Sequence, residues 1–164
     1  MAKTILIPTD FTIESLNTVK GALRQLEGEK VDLVLVYSAH LTDCITDLLF
    51  FSKRKYLDEQ QNAKFKEACE ILKNKYASQL NSFCLDLFTG INQNAFENFL
   101  LGKKVETIFI PKSYRMKLTN KWCFDLLPYC RKCSLQYVEI DWNENRNVPD
   151  QGSIAELFLV PNPM

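Results

Sequence analysis

Five short apolar runs, separated by amphipathic stretches, constrain this chain more than any other feature in it. Residues 4–9 (Thr-Ile-Leu-Ile-Pro-Thr) form a continuous apolar run, the pattern of a strand covered by helices on both faces. Residues 31–37, 82–89, 105–111 and 135–140 carry four more strand-like runs. After the first run, Leu16, Val19, Leu23 and Leu26 fall at three- and four-residue spacing, one face of a helix. Thr12 is its predicted N-cap, and Gly28 its C′ residue. Residues 42–78 read as largely helical, with Phe65, Cys69, Leu72 and Tyr76 on one face and a break near Phe50, Phe51, Ser52 and Lys53. A short helix over residues 93–101 carries Phe96, Phe99 and Leu100 and is expected to stop at Gly102. A last helix ends near Cys133. Strands alternating with helices predict a parallel sheet with right-handed crossovers and helices on both faces.

Composition excludes several classes of function. Twenty basic and twenty acidic residues give a formal net charge of zero. A general nucleic-acid binder would show a basic excess, so nucleic acid is not an expected partner. Apolar runs fall short of the 18 residues of a membrane span, and Ile5-Leu6-Ile7 is interrupted by Pro8 and Asp10. The expected setting is therefore cytoplasmic, without a membrane partner. Six cysteines in a chain of 164 residues then read as reduced thiols rather than a disulfide framework. One histidine, His40, removes most histidine-based catalysis and any multi-histidine metal site.

With that layout, the opening Ile5-Leu6-Ile7-Pro8-Thr9-Asp10-Phe11-Thr12 resembles the start of the universal stress protein family. The resemblance runs over roughly residues 3–140 and includes Gly90 before a short helix, like the family's strand–glycine–helix junction. It implies a Rossmann-like three-layer αβα sandwich, with five parallel strands in the order 3-2-1-4-5. Many members bind ATP, and the resemblance places Pro8, Thr9 and Asp10 at the nucleotide and Val36 against adenine. In those members the fourth strand runs into Gly-x-x-Gly, nine further residues, and Gly-Ser or Gly-Thr. Backbone N–H groups must approach phosphates closely there, and a helix N-terminus adds a favourable dipole.

Aligned without a gap, the motif's glycines fall on Pro111, Tyr114 and Phe124, and its Ser/Thr on Asp125. Pro111 has no N–H, Tyr114 and Phe124 bring bulk, and Asp125 brings a negative charge toward phosphate oxygens. Like charges ~4 Å apart on a partly screened surface repel by several kcal/mol. ATP is therefore not expected, and Pro8, Thr9, Asp10 and Val36 are read as a remnant ligand groove. Asp125 has a structural role available as N-cap of the last helix, which would put Pro128 in the first turn, where a missing N–H costs no hydrogen bond.

Three other features suggest chemistry. Cys130-Arg131-Lys132-Cys133 is a CxxC with Cys123 upstream, which offers a redox dithiol or a thiolate metal site. Its position about one turn inside a helix, on the face of Leu126 and Leu127, favours buried core thiols. Three cysteines on one segment fall short of the usual four zinc ligands. Lys112, Arg115, Lys117 and Lys121 form a basic loop, either a residual anion site or a solvated loop balanced elsewhere. No nucleophile–base pair stands out, so neither an enzyme, a cofactor nor a metal is expected.

The expected function is a universal-stress-protein-like module acting through homodimerisation and an unknown protein partner. The alternatives are an adenine-nucleotide or other small-molecule binder with altered phosphate contacts, and a thiol redox protein. Residues 141–164 are read as a linker and an arm. Residues 154–160 (Ile-Ala-Glu-Leu-Phe-Leu-Val) are too apolar to hang in water. A linker of about ten residues reaches ~35 Å. The arm is expected to cover the sheet edge near the fifth strand as an extra strand, in cis or by exchange.

Overall fold

A computed structural model describes residues 2–40, 52–90, 92–114, 116–118 and 123–141. Five parallel strands form one sheet: β1 (Lys3–Pro8), β2 (Val31–Ser38), β3 (Leu80–Phe88), β4 (Thr107–Pro111) and β5 (Gln136–Ile140). Their order is β3-β2-β1-β4-β5, the doubly wound order the resemblance implies. The helices are α1 (Leu16–Gln25), α2 (Lys53–Gln60), α3 (Ala63–Lys75), α4 (Gln93–Lys103) and α5 (Leu127–Lys132).

The two-residue period of the strands divides the core into two clusters. Ile5, Ile7, Leu33, Leu35 and Phe109 point to the side of α1, α2 and α3, where they meet Leu16, Val19, Leu57, Phe65 and Leu72. Leu6, Val34, Val36, Ile108 and Ile110 point to the other side, against Phe96 and Leu100 of α4 and Leu127 and Cys130 of α5. A strand with both neighbours and both faces covered reads as a continuous apolar run, which is why β1 was legible. The edge strands β3 and β5 are more exposed along their length.

Several local boundaries differ from the expectations. Thr12 does not cap α1 directly. Its Oγ1 accepts the Ser15 N–H at 3.3 Å, and a tight turn over residues 12–15 leads into a helix that begins at Leu16. Gly28, with φ 90°, lies in the turn beyond the helix end and not next to it. The helical stretch after β2 breaks at Gln61 and Asn62. Ser52 and Asn62 each cap the helix that follows, accepting from Lys55 N and Phe65 N. Helix α4 continues through Gly102, and the left-handed residue that ends it is Lys104 (φ 57°). Gly90 has a reason to be glycine: a Cβ there would lie 2.6 Å from the Ala95 Cβ and 2.7 Å from the Phe88 ring. The expected arm over residues 154–160, its linker, Arg115, Lys121 and most of the expected break near residue 50 lie outside the described residues. Among the described residues no helix is long and apolar enough to cross a membrane.

Candidate functional site

The carboxyl ends of β1 and β2 are the place where a sheet wound this way presents a crevice. Thr9 is held there by its N–H donating to the Val36 carbonyl at 2.8 Å, while its hydroxyl bonds Ser15 Oγ at 2.9 Å. The next peptide turns sharply, because Phe11 adopts a left-handed φ of 63°. A left-handed residue with a Cβ costs about 1–2 kcal/mol. Phe11 offsets that cost by burial: its ring stacks on Tyr37 at 4.3 Å and meets Phe65 edge-on at 5.3 Å.

This turn exposes the Asp10 carboxylate to four donors. Oδ1 accepts the Thr12 N–H (3.2 Å) and hydroxyl (2.6 Å). Oδ2 accepts the Tyr114 hydroxyl (2.5 Å) and the Lys117 N–H (2.8 Å). Thr12 Oγ1 lies 3.0 Å from the same phenol, which closes a ring of polar contacts. Burial, and next the hydrogen bond to Asp10, push the Tyr114 phenol pKa well above its ordinary value, so the phenol keeps its proton as donor. Lys117 Nζ pairs with Glu14 at 3.0 Å, so one charge of the basic loop is balanced inside the protein.

A second group of contacts places residues 123–126 across the end of β2. Cys123 bridges Ala39 in antiparallel fashion, and its thiol meets the Tyr37 hydroxyl. Phe124 donates its N–H to the Ser38 carbonyl (3.4 Å) and accepts the Ser38 hydroxyl (2.6 Å). Asp125 Oδ1 accepts the Leu127 N–H at 2.9 Å, and Pro128 sits in the first turn of α5. The aspartate thus serves the helix start, although the backbone cap position belongs to Leu126. Between these two groups remains a cavity of about 10 Å³, lined by Pro8, Thr9, Asp10, Ser38, Lys117 and Phe124 among others. That is room for about one water.

Pro8, Thr9 and Asp10 therefore come together around one small space. Val36 does not line it and is fully buried in the core beneath, with Phe88 and Leu126. Pro111 ends β4 paired with Ile140. Glu14, Ser15, Ser38 and Lys117 complete the site, and sequence reasoning did not single out the first three. Thr12 and Ser15, three apart after a strand, were the only local signal for a capped turn.

The CxxC thiols lie in and beside the core. Cys130 is fully buried and Cys133 partly so, and both are free thiols. Burial pushes both pKa values up, that of Cys130 strongly, the opposite of what a nucleophilic thiol needs. Among the described residues no group of three or more His, Cys, Asp or Glu side chains is placed to hold a metal ion.

Solved structures with the same arrangement exist. Universal stress protein UspA from Lactobacillus plantarum superposes with a TM-score of 0.53 at 12% identity, over 84% of this chain and 97% of that one. The fold is that of the universal stress proteins. A hypothetical protein of known structure also matches, with 21% identity and a TM-score of 0.50 over 86% of this chain and 96% of that one. At such identities the likeness concerns the fold alone. No family model and no curated protein matches the sequence. Within this fold, the Tyr114 hydroxyl is bonded to Asp10 and the Phe124 backbone to Ser38.

Proposed function

We propose that this chain is a universal-stress-protein-like module that does not take ATP in the family manner. It acts in the cytoplasm, in a stress response, by pairing with a second copy and contacting a protein partner. One observation carries the first half of this reading: the Asp10 carboxylate already accepts from Thr12, Tyr114 and Lys117, beside a cavity of about 10 Å³. Small-molecule sites usually have roughly 300–1,000 Å³. A nucleotide in the remnant groove would have to displace four hydrogen bonds and the segment that makes them. The β5 edge supports the second half. Its residues are largely exposed, with Tyr137 38% accessible, and an edge with free N–H and C=O groups invites another strand.

Thermal unfolding with and without ATP·Mg²⁺ tests the first half, read alongside light scattering of the full chain for the second. The expected outcome is an unchanged midpoint and a dimer mass at tens of micromolar, roughly the range of weak pairing. A ligand at 100 times its Kd adds about 2.7 kcal/mol, so a clear upward shift overturns the reading in favour of an adenylate binder. A monomer mass removes the pairing.

A further inference from the structure

The end of the sheet opposite Asp10 carries a cleft of its own. It lies at the amino ends of β2 and β3, where α1 and α3 stop and two turns lead into the strands, and it measures about 500 Å³. That is within the ordinary range of small-molecule sites. Arg24, Lys75 and Tyr76 line it from the helix ends, and Glu27 and Glu29 from the turn after α1.

The frame of the cleft is tied together by polar contacts between the two turns. Gln79 Nε2 donates to the Leu23 and Leu26 carbonyls at 2.8 and 2.9 Å, which satisfies the open end of α1 from the turn before β3. Lys30 Nζ donates to the Ser78 carbonyl at 2.6 Å, and the Val31 N–H to the Gln79 carbonyl at 2.9 Å. None of these bonds uses the side chain of Arg24, Tyr76, Glu27 or Glu29. A frame already held in this way spares a ligand the cost of ordering it.

The two signs of charge are sorted between the walls. Arg24 and Lys75 stand in the last turns of α1 and α3, where the helix dipole favours a cation. Lys75 Nζ lies 5.7 Å from the centroid of the Tyr76 ring. Burial raises the Tyr76 phenol pKa, and the Arg24 charge beside it works the other way. Helix dipoles account for Arg24 and Lys75 one at a time. They do not account for Lys20, one turn before Arg24, which is only 5% exposed. Burial, then the Lys75 charge and then that of Arg24 lower its pKa to about 8. The charges acting on Lys20 are thus positive, although Glu27 and Glu29 line the same cleft, so these carboxylates stand away from the cationic corner.

Among the described residues no salt bridge or side-chain hydrogen bond engages Arg24, Glu27 or Glu29. A guanidinium presents paired donors that match a carboxylate, and an anion in that corner would offset the repulsion among the cations. The glutamates on the other wall would repel a second negative charge and attract a positive one. A ligand with a carboxylate at one end and an ammonium at the other meets both demands.

We infer that this cleft binds a small zwitterion, its carboxylate on Arg24 and the Tyr76 hydroxyl beside Lys75, and its ammonium toward Glu27 and Glu29. The inference stands apart from both halves of the proposed function, because the cleft lies at the opposite ends of the strands from Asp10 and at the opposite side of the sheet from β5.

The test titrates the ¹³C-labelled full chain at pH 7 and constant ionic strength with 5-aminovalerate. Two further titrations use valerate, which lacks the ammonium, and pentylamine, which lacks the carboxylate. The expected result is saturable shifts of the Leu23 methyl, Arg24 side-chain and Tyr76 ring signals, with a Kd of about 1–5 mM for 5-aminovalerate. Each single-charge probe should bind about three- to fivefold more weakly, the range expected for losing one solvent-exposed ion pair. Arg24, Glu27 and Glu29 are exposed, so their substitution leaves the core intact. Arg24→Gln should bring 5-aminovalerate to the level of pentylamine, and the double variant Glu27→Gln, Glu29→Gln should bring it to the level of valerate. Absence of saturable shifts at these residues up to about 20 mM, well above the expected Kd, overturns the inference. So does a single-charge probe that binds the wild type as tightly as 5-aminovalerate, or an Arg24→Gln protein that keeps the preference for it.

Discussion

Either side of Phe124 the fold treats polar groups in opposite ways. Toward β1, the Asp10 carboxylate accepts four donors and only about 10 Å³ stays empty. Toward α4 and α5, about 500 Å³ stays open, and among the described residues Asp125 spends one oxygen, on the Leu127 N–H. The same side chain closes one site and walls the other. An aspartate at the end of a first strand is therefore not by itself a ligand contact. Whether it binds or builds depends on what the chain brings to it from a hundred residues away.

The largest test of this contrast removes the acceptor on the closed side. Asp10→Ala takes their shared acceptor from the Tyr114 hydroxyl, the Lys117 N–H and two Thr12 donors in a partly buried place, although the two hydroxyls still have each other. Urea unfolding should show a loss of about 2–3 kcal/mol, because a donor left without its acceptor costs roughly 1–3 kcal/mol when buried and the four are neither fully buried nor additive. A ligand-facing aspartate would behave differently, its removal being neutral or stabilising in the free protein. A loss below about 1 kcal/mol would therefore return Asp10 to the role of a ligand contact.

The sequence made one half of this contrast visible. The apolar runs gave five strands, the strand–helix alternation gave a parallel sheet, and Pro8-Thr9-Asp10 located the end of β1. Bulk at Tyr114 and Phe124 in place of glycine was readable too. That the Tyr114 phenol reaches Asp10 was not, since the contact joins residues 104 apart and depends on how the loop after β4 lies on the sheet. The stack of His40 on Phe124 has the same origin, in the Ala39–Cys123 bridge. Other misses were local. Asn62 capping α3 was hidden by an amphipathic pattern that continues through the break, and Gly102 suggested a helix stop that falls two residues later, at Lys104.

A smaller test keeps the Tyr114 ring and removes its oxygen. Tyr114→Phe should cost about 1–2 kcal/mol at pH 7 and should leave the cleft beyond Phe124 unchanged. Its pH dependence carries more information. Burial and Asp10 raise the phenol pKa in the folded protein, so the folded state keeps a proton that the unfolded chain releases near pH ~10. The contribution is fully present below that pH and declines as pH rises beyond it. Unfolding at pH 8 and pH 10.5, roughly either side of the free phenol pKa, should show a decline in the wild type that Tyr114→Phe lessens. Equal declines in the two proteins would mean the phenol is solvated, and the closed side less closed than the hydrogen bonds imply.

The smallest effects serve as a control for both sides, because they lie at the far end of α4, away from Asp10 and from the cleft. Gly102 sits inside the helix, and a Cβ there would meet nothing within 4 Å. Glycine in a helix interior costs roughly 0.5–1 kcal/mol relative to alanine, so at this next-to-last helical position Gly102→Ala should stabilise by up to that amount. Lys104 has the opposite problem, a Cβ on a left-handed backbone (φ 57°) where glycine is the usual choice. Lys104→Gly should also stabilise, by up to about 1 kcal/mol, less the entropy a glycine adds to the unfolded chain. Both variants leave the Lys104 and Val105 N–H bonds to the last turn of α4 in place. They should raise the unfolding midpoint while leaving the alkaline decline unmoved. If Gly102→Ala alters that decline, stability of α4 reaches the Asp10 side, and the two sides of Phe124 are coupled through that helix rather than separated by a ring.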